Sequence, residues 1–244
     1  MKSRRKNNNK ESTQYLDARY EELSGMKIFT DLEDNKRFLK ELFKDCSDVV
    51  IREFQIQKNI PALAVFVDGL IQSEQVNEAL KALMILEGQT DYVEDLNTQS
   101  LPVSQTETTD NYGDFLLAVL SGDTGILVQN NERALTLSVK GFEKRSVSEP
   151  DTEAVIKGPR EGFVESLRTN TSLLRRRIKS PRLKIKSMIV GRESNTFIAI
   201  CYIEGIVDPK LLDEVIRRIE SIKMNGILES SYIEEFIQDK ALSP

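Results

Sequence analysis

The side chains that most often carry catalysis or hold metals are scarce here. The sequence contains no histidine, which removes the commonest general base and the commonest metal ligand together. Its two cysteines, Cys46 and Cys201, stand far apart in apolar surroundings. That is the pattern of reduced, partly buried thiols, not of a zinc site or a Cys/His nucleophile. No EF-hand loop, GxSxG elbow or HExxH helix occurs. Carboxylates are plentiful, but none falls in a pairing that argues acid/base work. Glu149, Asp151, Glu153, Glu161 and Glu165 lie close to Arg145, Lys157 and Arg160, as ion pairs between an irregular segment and the following helix would. The expectation is a protein that is not an enzyme and uses no cofactor or metal.

Positive charge is the other chemical feature. Residues 157–192 hold eleven basic side chains against only Glu161 and Glu165, a local excess that invites an anionic partner. Three of them, Arg175, Arg176 and Arg177, are adjacent and are candidate contacts for a partner protein or a membrane surface. At about 100° per residue they cannot all face one flat partner, so structural ion pairs are the competing reading. Only Phe163 could stack a base in this window, which argues against nucleic acid. Gly158-Pro159-Arg160-Glu161-Gly162 precedes a helix start, where free amides favour anions. It lacks the Lys-Ser/Thr of a phosphate loop and the spacing of a dinucleotide fingerprint.

These residues need elements to position them. Leu32, Leu39, Leu42 and Phe43 recur at helical spacing over 31–44. Val49–Ile56 alternates like a strand, with Arg52 an oddity on its apolar face. Pro61–Val67 is a continuous apolar run, the mark of a central strand covered on both faces. Ser73 opens a helix to about Leu86, with Val76, Leu80, Leu83 and Met84 inward. Residues 87–110 are polar and are expected to be a mobile loop, residues 1–28 a flexible basic tail. A short helix over 111–120 precedes two strands around Asn130-Asn131. The spacing then predicts a helix over 162–178 with a stripe of Phe163, Leu167, Leu174 and Ile178. Strands at 183–190 and 195–203 follow, then helices starting at Asp208-Pro209 and Ser230. This order suits two small α/β lobes, mixed sheets packed with helices, over 29–144 and 145–244. An irregular hinge joins them, in which Arg145, Glu149, Glu153, Arg160 and Glu161 are candidate inter-lobe or ligand contacts. No apolar run approaches the roughly 18 residues of a membrane span, so the chain as written is expected to be soluble.

Certain stretches carry a resemblance. Ser47-Asp48-Val-Val-Ile-Arg52-Glu53-Phe54 and Ala64-Val-Phe-Val-Asp68-Gly69-Leu70 resemble the start of the A subunit of GerA-type spore germinant receptors. The match is denser from Arg145-Ser-Val-Ser-Glu149-Pro150 through Lys157-Gly158-Pro159-Arg160-Glu161-Gly162-Phe163. It continues in Glu165-Ser-Leu-Arg168-Thr-Asn170, Leu174-Arg-Arg-Arg177-Ile178 and Tyr232-Ile-Glu234-Glu235. Lys157 stands where the pattern leads one to expect arginine, which keeps the charge. The resemblance implies the two-lobed N-terminal domain of an A subunit whose membrane-spanning helices are absent from this chain. It also implies partners, namely B and C subunits and other A subunits, and a place at the inner spore membrane, with this domain on the core side. The implied role is receptor assembly and signal relay to an ion pathway in nutrient-triggered germination. The alternative is a domain that binds a small nutrient between the lobes.

Overall fold

The computed structural model describes residues 22–86, 93, 96, 101–141 and 162–239. Asp31 accepts a hydrogen bond from the Asp34 amide at 3.0 Å and so caps helix α1, Leu32–Leu42. Strands β1 (Val49–Ile56) and β2 (Ile60–Val67) form a hairpin in register from Val49↔Val67 to Ile56↔Ile60. Helix α2 is Ser73–Ile85, β3 is Thr106–Thr109, and α3 is Tyr112–Leu120. Strands β4 (Thr124–Val128) and β5 (Ala134–Leu137) complete a sheet of order β1-β2-β4-β5-β3. All its neighbouring strands are antiparallel. The expected α/β class holds, and within this sheet the strands alternate in direction because short turns join β1 to β2 and β4 to β5.

Two layers of helix cover this sheet. Ala62, Ala64, Ile126 and Val128 face Val76, Ala79, Leu80 and Leu83 of α2. The opposite face lies under α1 and α3. There a Cβ on Gly125 would sit 2.3 Å from Phe115 Cε2, so only glycine lets α3 approach β4 this closely. β2 is thereby buried on both faces, as its unbroken apolar run predicts.

Several expectations are corrected. Residues 22–28 are not a free tail: Leu23 and Ile28 are buried, and Tyr112 N–H donates to the Met26 carbonyl at 2.8 Å. Of the polar stretch 87–110, residues 87–92, 94–95 and 97–100 lie outside the described residues, while the described part includes β3, which pairs with β5, and buried Val93 and Leu96. Its threonines are strand formers, and backbone pairing holds an edge strand that lacks an apolar stripe. Ala79, not Met84, turns inward on α2, and Gln72 occupies its cap position.

Helix α4, Leu167–Arg177, starts five residues later than its periodicity predicts. Asn170 holds the preceding turn by accepting from Val164 N–H and donating to Val164 C=O, both at 2.7 Å, and Ser166 caps the helix. Phe163 and Ile178 are exposed, so the predicted apolar stripe is not the buried one. The face that is buried carries Thr171, Ser172, Leu173 and Arg175.

The described residues through Lys44 and from Asp48 to Pro181 form one compact unit. Asp45–Ser47 and the described residues from Arg182 onward form the second. α4 therefore belongs with the five-stranded unit, not with the second half as a division near residue 145 would have it. The second unit pairs β6 (Leu183–Val190) with β7 (Thr196–Ile203), antiparallel. Asp45–Ser47 runs beside β6, with Ser47 N–H to Ile185 C=O at 3.0 Å and Ile185 N–H to Asp45 C=O at 2.9 Å. Helix α5, Pro209–Glu220, begins with Asp208 as cap and proline at its first position. Helix α6 is Ser230–Ile237. Val190, Ile219, Ile222 and Ile227 form this unit's own small core.

Candidate functional site

The basic window resolves largely into structural pairs, and one of them is buried. Arg175 lies on the inner face of α4 with its side chain fully inaccessible. Its Nε donates to Asp48 Oδ2 at 2.9 Å and its Nη2 to Asp48 Oδ1 at 3.0 Å, a bidentate fork. Nη1 donates to the Ser180 carbonyl at 2.9 Å, beyond the helix end. Asp48 sits immediately before β1, and its own carbonyl accepts from Asp68 N–H at 2.7 Å, just past β2. Arg168, two turns earlier on α4, pairs with Asp68 at 2.6 Å. One helix is thus tied at two levels to the adjacent ends of β1 and β2.

Sequence placed this chemistry by small residues as much as by charge. Gly69 adopts φ +89, and a Cβ there would stand 3.2 Å from Ser172 Cβ. The turn after β2 and the small side chains of α4 therefore meet at close range. Burying two charges costs several kcal/mol each in desolvation, so such a pair adds little net stability over apolar residues of similar shape. What it adds is position: the fork has one geometry, and α4 has little apolar surface of its own to hold it otherwise.

Of the sequence-predicted contacts, Arg175 is corrected: it is interior and cannot meet a partner surface. Arg176 is half-buried and Arg177 is exposed. Arg145, Glu149, Glu153, Arg160 and Glu161 lie outside the described residues. Elsewhere in the basic window, Arg182 donates to the Glu204 carbonyl, Lys184 pairs with Glu204 at 3.6 Å, and Lys186 pairs with Asp45 at 3.4 Å. Tyr202 donates to Asp45 at 3.3 Å, and burial first, then the Asp45 charge, pushes its phenol up to about 12. The partnership of Asp48 with Arg175 was beyond sequence reasoning. The available signal was a charged residue beside Leu173 and Leu174 and another at the mouth of an apolar strand.

Among the described residues no group of three or more potential metal ligands occurs. No helix among them is long and apolar enough to cross a membrane.

Comparison with known proteins gives a consistent set. Residues 37–244 match the family model described as Bacillus/Clostridium GerA spore germination protein. The uncharacterized membrane protein YfkQ of Bacillus subtilis (strain 168) is 36% identical over 219 residues, covering 89% of this chain and 43% of that protein. Spore germination protein KA of the same strain is 35% identical over 202 residues, 81% of this chain and 37% of that protein. The chain thus spans less than half the length of these relatives. Among solved structures, it is similar to the N-terminal domain of the A subunit of the Bacillus megaterium spore germinant receptor GerK3. The TM-score is 0.65 at 29% identity, over 89% of this chain and 82% of that one.

Proposed function

Because the chain belongs to the GerA family of spore germination proteins, we propose that it serves as the assembly and signal-relay domain of a germinant receptor A subunit. In this reading it acts without catalysis. Its partners are B and C subunits and other A subunits, with exposed Arg177 and half-buried Arg176 among the contacts. The full receptor sits at the inner spore membrane with this domain on the core side, and nutrient recognition ends in opening of an ion pathway.

One observation carries the relay reading. Helix α4 is fastened to the five-stranded unit by a buried bidentate ion pair rather than by an apolar face. Only residues 178–181 separate its last turn from the start of the second unit at Arg182. A displacement of the second unit therefore pulls on an element whose attachment is geometric and polar. Such a bidentate attachment has one made geometry, and a shift of α4 that breaks it gives a discrete second state.

The test separates fold from relay. Replacing the pair by Arg175→Met with Asp48→Leu removes the fork while leaving no stranded charge. In spores carrying the full receptor, the doubly substituted subunit is expected at normal abundance with a weakened nutrient response. Normal abundance with a normal response would overturn the relay reading.

A further inference from the structure

An open sheet edge offers a row of backbone donors and acceptors, and proteins usually blunt it with charge, proline, shortness or a cover. Three of the four edge strands here are blunted in that way. β1 carries Arg52 and Glu53, and β3 has only four residues. β6 carries Lys184 and Lys186 and is covered at Ile185 by Asp45–Ser47. β7 is the exception. Its eight residues, Thr196–Ile203, include no charge, no proline and no glycine. Its register with β6 runs unbroken from Thr196 to Ile203, with no bulge.

The hydrogen-bond phase shows which residues face outward. Along an antiparallel pair, residues alternate between bonding the partner strand and facing away from it. Ile185 faces away from β7, since its N–H and C=O are engaged by Asp45 and Ser47. Cys201 lies opposite Ile185, so Cys201, Ala199 and Phe197 turn their backbone groups to the outer edge. The bond from Glu204 N–H to Arg182 C=O at 2.9 Å fits the same phase. Among the described residues, β7 has no strand neighbour but β6 and takes part in no isolated bridge. The side chains add to the apolar character of this edge. Ile198 and Ile200 pack on the small core with α5, so Phe197 and Ala199 lie on the opposite face. There Phe197 is 65% exposed beside its cross-strand neighbour Ile189, 58% exposed.

We propose that β7 pairs edge to edge and antiparallel with β7 of a second copy of this chain, centred on Ala199. The strand is complementary to itself in that register. Ala199 meets Ala199, the smallest side chain of the strand at the two-fold axis, and Phe197 meets Cys201 of the second copy. Ile198 meets Ile200 of the second copy, so no charge faces another. The outward backbone groups of each copy meet those of the other, and the apolar strip runs on across the axis. Pairing stops at two copies, because each uses the same edge. This contact rests on the assembly reading for the kind of partner, and it is tested in solution, so its failure would leave that reading to its own test in spores.

The experiment uses the 244-residue chain from about 5 μM to about 1 mM, by sedimentation and by amide hydrogen exchange. A contact of one strand edge lies at the weak end of specific interfaces, so a dimer with Kd of about 0.01–1 mM is expected. Exchange at the Phe197 and Ala199 amides should slow as concentration rises. Ala199→Lys and Ala199→Glu each set like charges face to face at the axis and should weaken the dimer at least about tenfold. An equal mixture of the two variants should restore it, because lysine then meets glutamate. A chain that stays monomeric would overturn the proposal. So would a dimer indifferent to both substitutions, or a mixture that does not recover. Exchange at Phe197 and Ala199 that is slow at every concentration would also overturn it, since the chain's own residues would then cover the edge; this readout on the unsubstituted protein stands even if a variant fails to fold.

Discussion

Arg175→Ala removes a guanidinium that makes three hydrogen bonds, two to Asp48 and one to the Ser180 carbonyl. What remains is a carboxylate with only 6% of its side chain accessible and no counter-charge within the fork. Breaking one side of a buried pair costs about 3–5 kcal/mol, because the survivor keeps its desolvation penalty without its partner. With a urea slope of about 2 kcal/mol per molar, a loss of about 4 kcal/mol moves the midpoint down by about 2 M. The two units need not unfold together, so the probe must report on the first. Tyr112 serves, since its ring packs on Phe29, Phe38 and Phe115 and gives a near-ultraviolet dichroism signal from that unit. Arg175→Met with Asp48→Leu should recover most of the loss, since apolar residues of similar volume replace a buried pair at little cost. A loss below about 1 kcal/mol for Arg175→Ala would refute the reasoning, because that is the scale of an exposed pair.

Three further outcomes follow from the geometry. Gly125→Ala puts a methyl 2.3 Å from Phe115 Cε2 and 2.9 Å from Val119 Cγ2; a destabilisation of about 1–3 kcal/mol is expected, read as a lower thermal midpoint. Tyr112→Phe leaves buried Asn35 Oδ1 without its phenolic donor and should cost about 1–3 kcal/mol in urea unfolding. Hydrogen bonds from Arg217 and then Arg218 hold the Glu214 carboxyl down at about 2, below its ordinary 4.5. Its folded value is depressed, so its contribution is present above about 4.5 and fades as pH falls towards 2. Glu214→Gln should flatten that acid limb of the second unit's stability curve, and an unchanged limb would contradict the assignment.

How much of this was legible in the sequence depends on which force decided each element. Apolar patterning and caps decided β1, β2, β4, β6, β7, α1 and α5, and their limits are close to those the residues predict. Asp208 caps where expected because capping is a local, three-residue interaction. β3 was missed because Thr106–Thr109 has no apolar alternation; it is a strand only because β5 offers a partner edge. α4 was read on the wrong face for a related reason. Periodicity ranks leucine and phenylalanine as inward, yet Arg175 is buried and Phe163 exposed. What decides that face is Asp48, 127 residues earlier, and no window of sequence contains both. The basic cluster itself was conspicuous, and its reading as structural ion pairs holds for Arg168, Arg175, Lys184 and Lys186.

The central claim, that α4 must shift on the turn after β2 for the signal to pass, can be met by tethering the two. A Cβ at Gly69 would lie 3.2 Å from Ser172 Cβ, close to the separation of about 3.5–4.5 Å that a disulfide spans. Spores carrying the full receptor with Gly69→Cys and Ser172→Cys would be compared oxidised and reduced, with bond formation read on a gel. Gly69→Cys alone controls for the strain of a side chain at φ +89. The account predicts that nutrient-triggered germination is lost when the bond is formed and returns on reduction. Equal germination in both states, with the bond shown to be present, would contradict it.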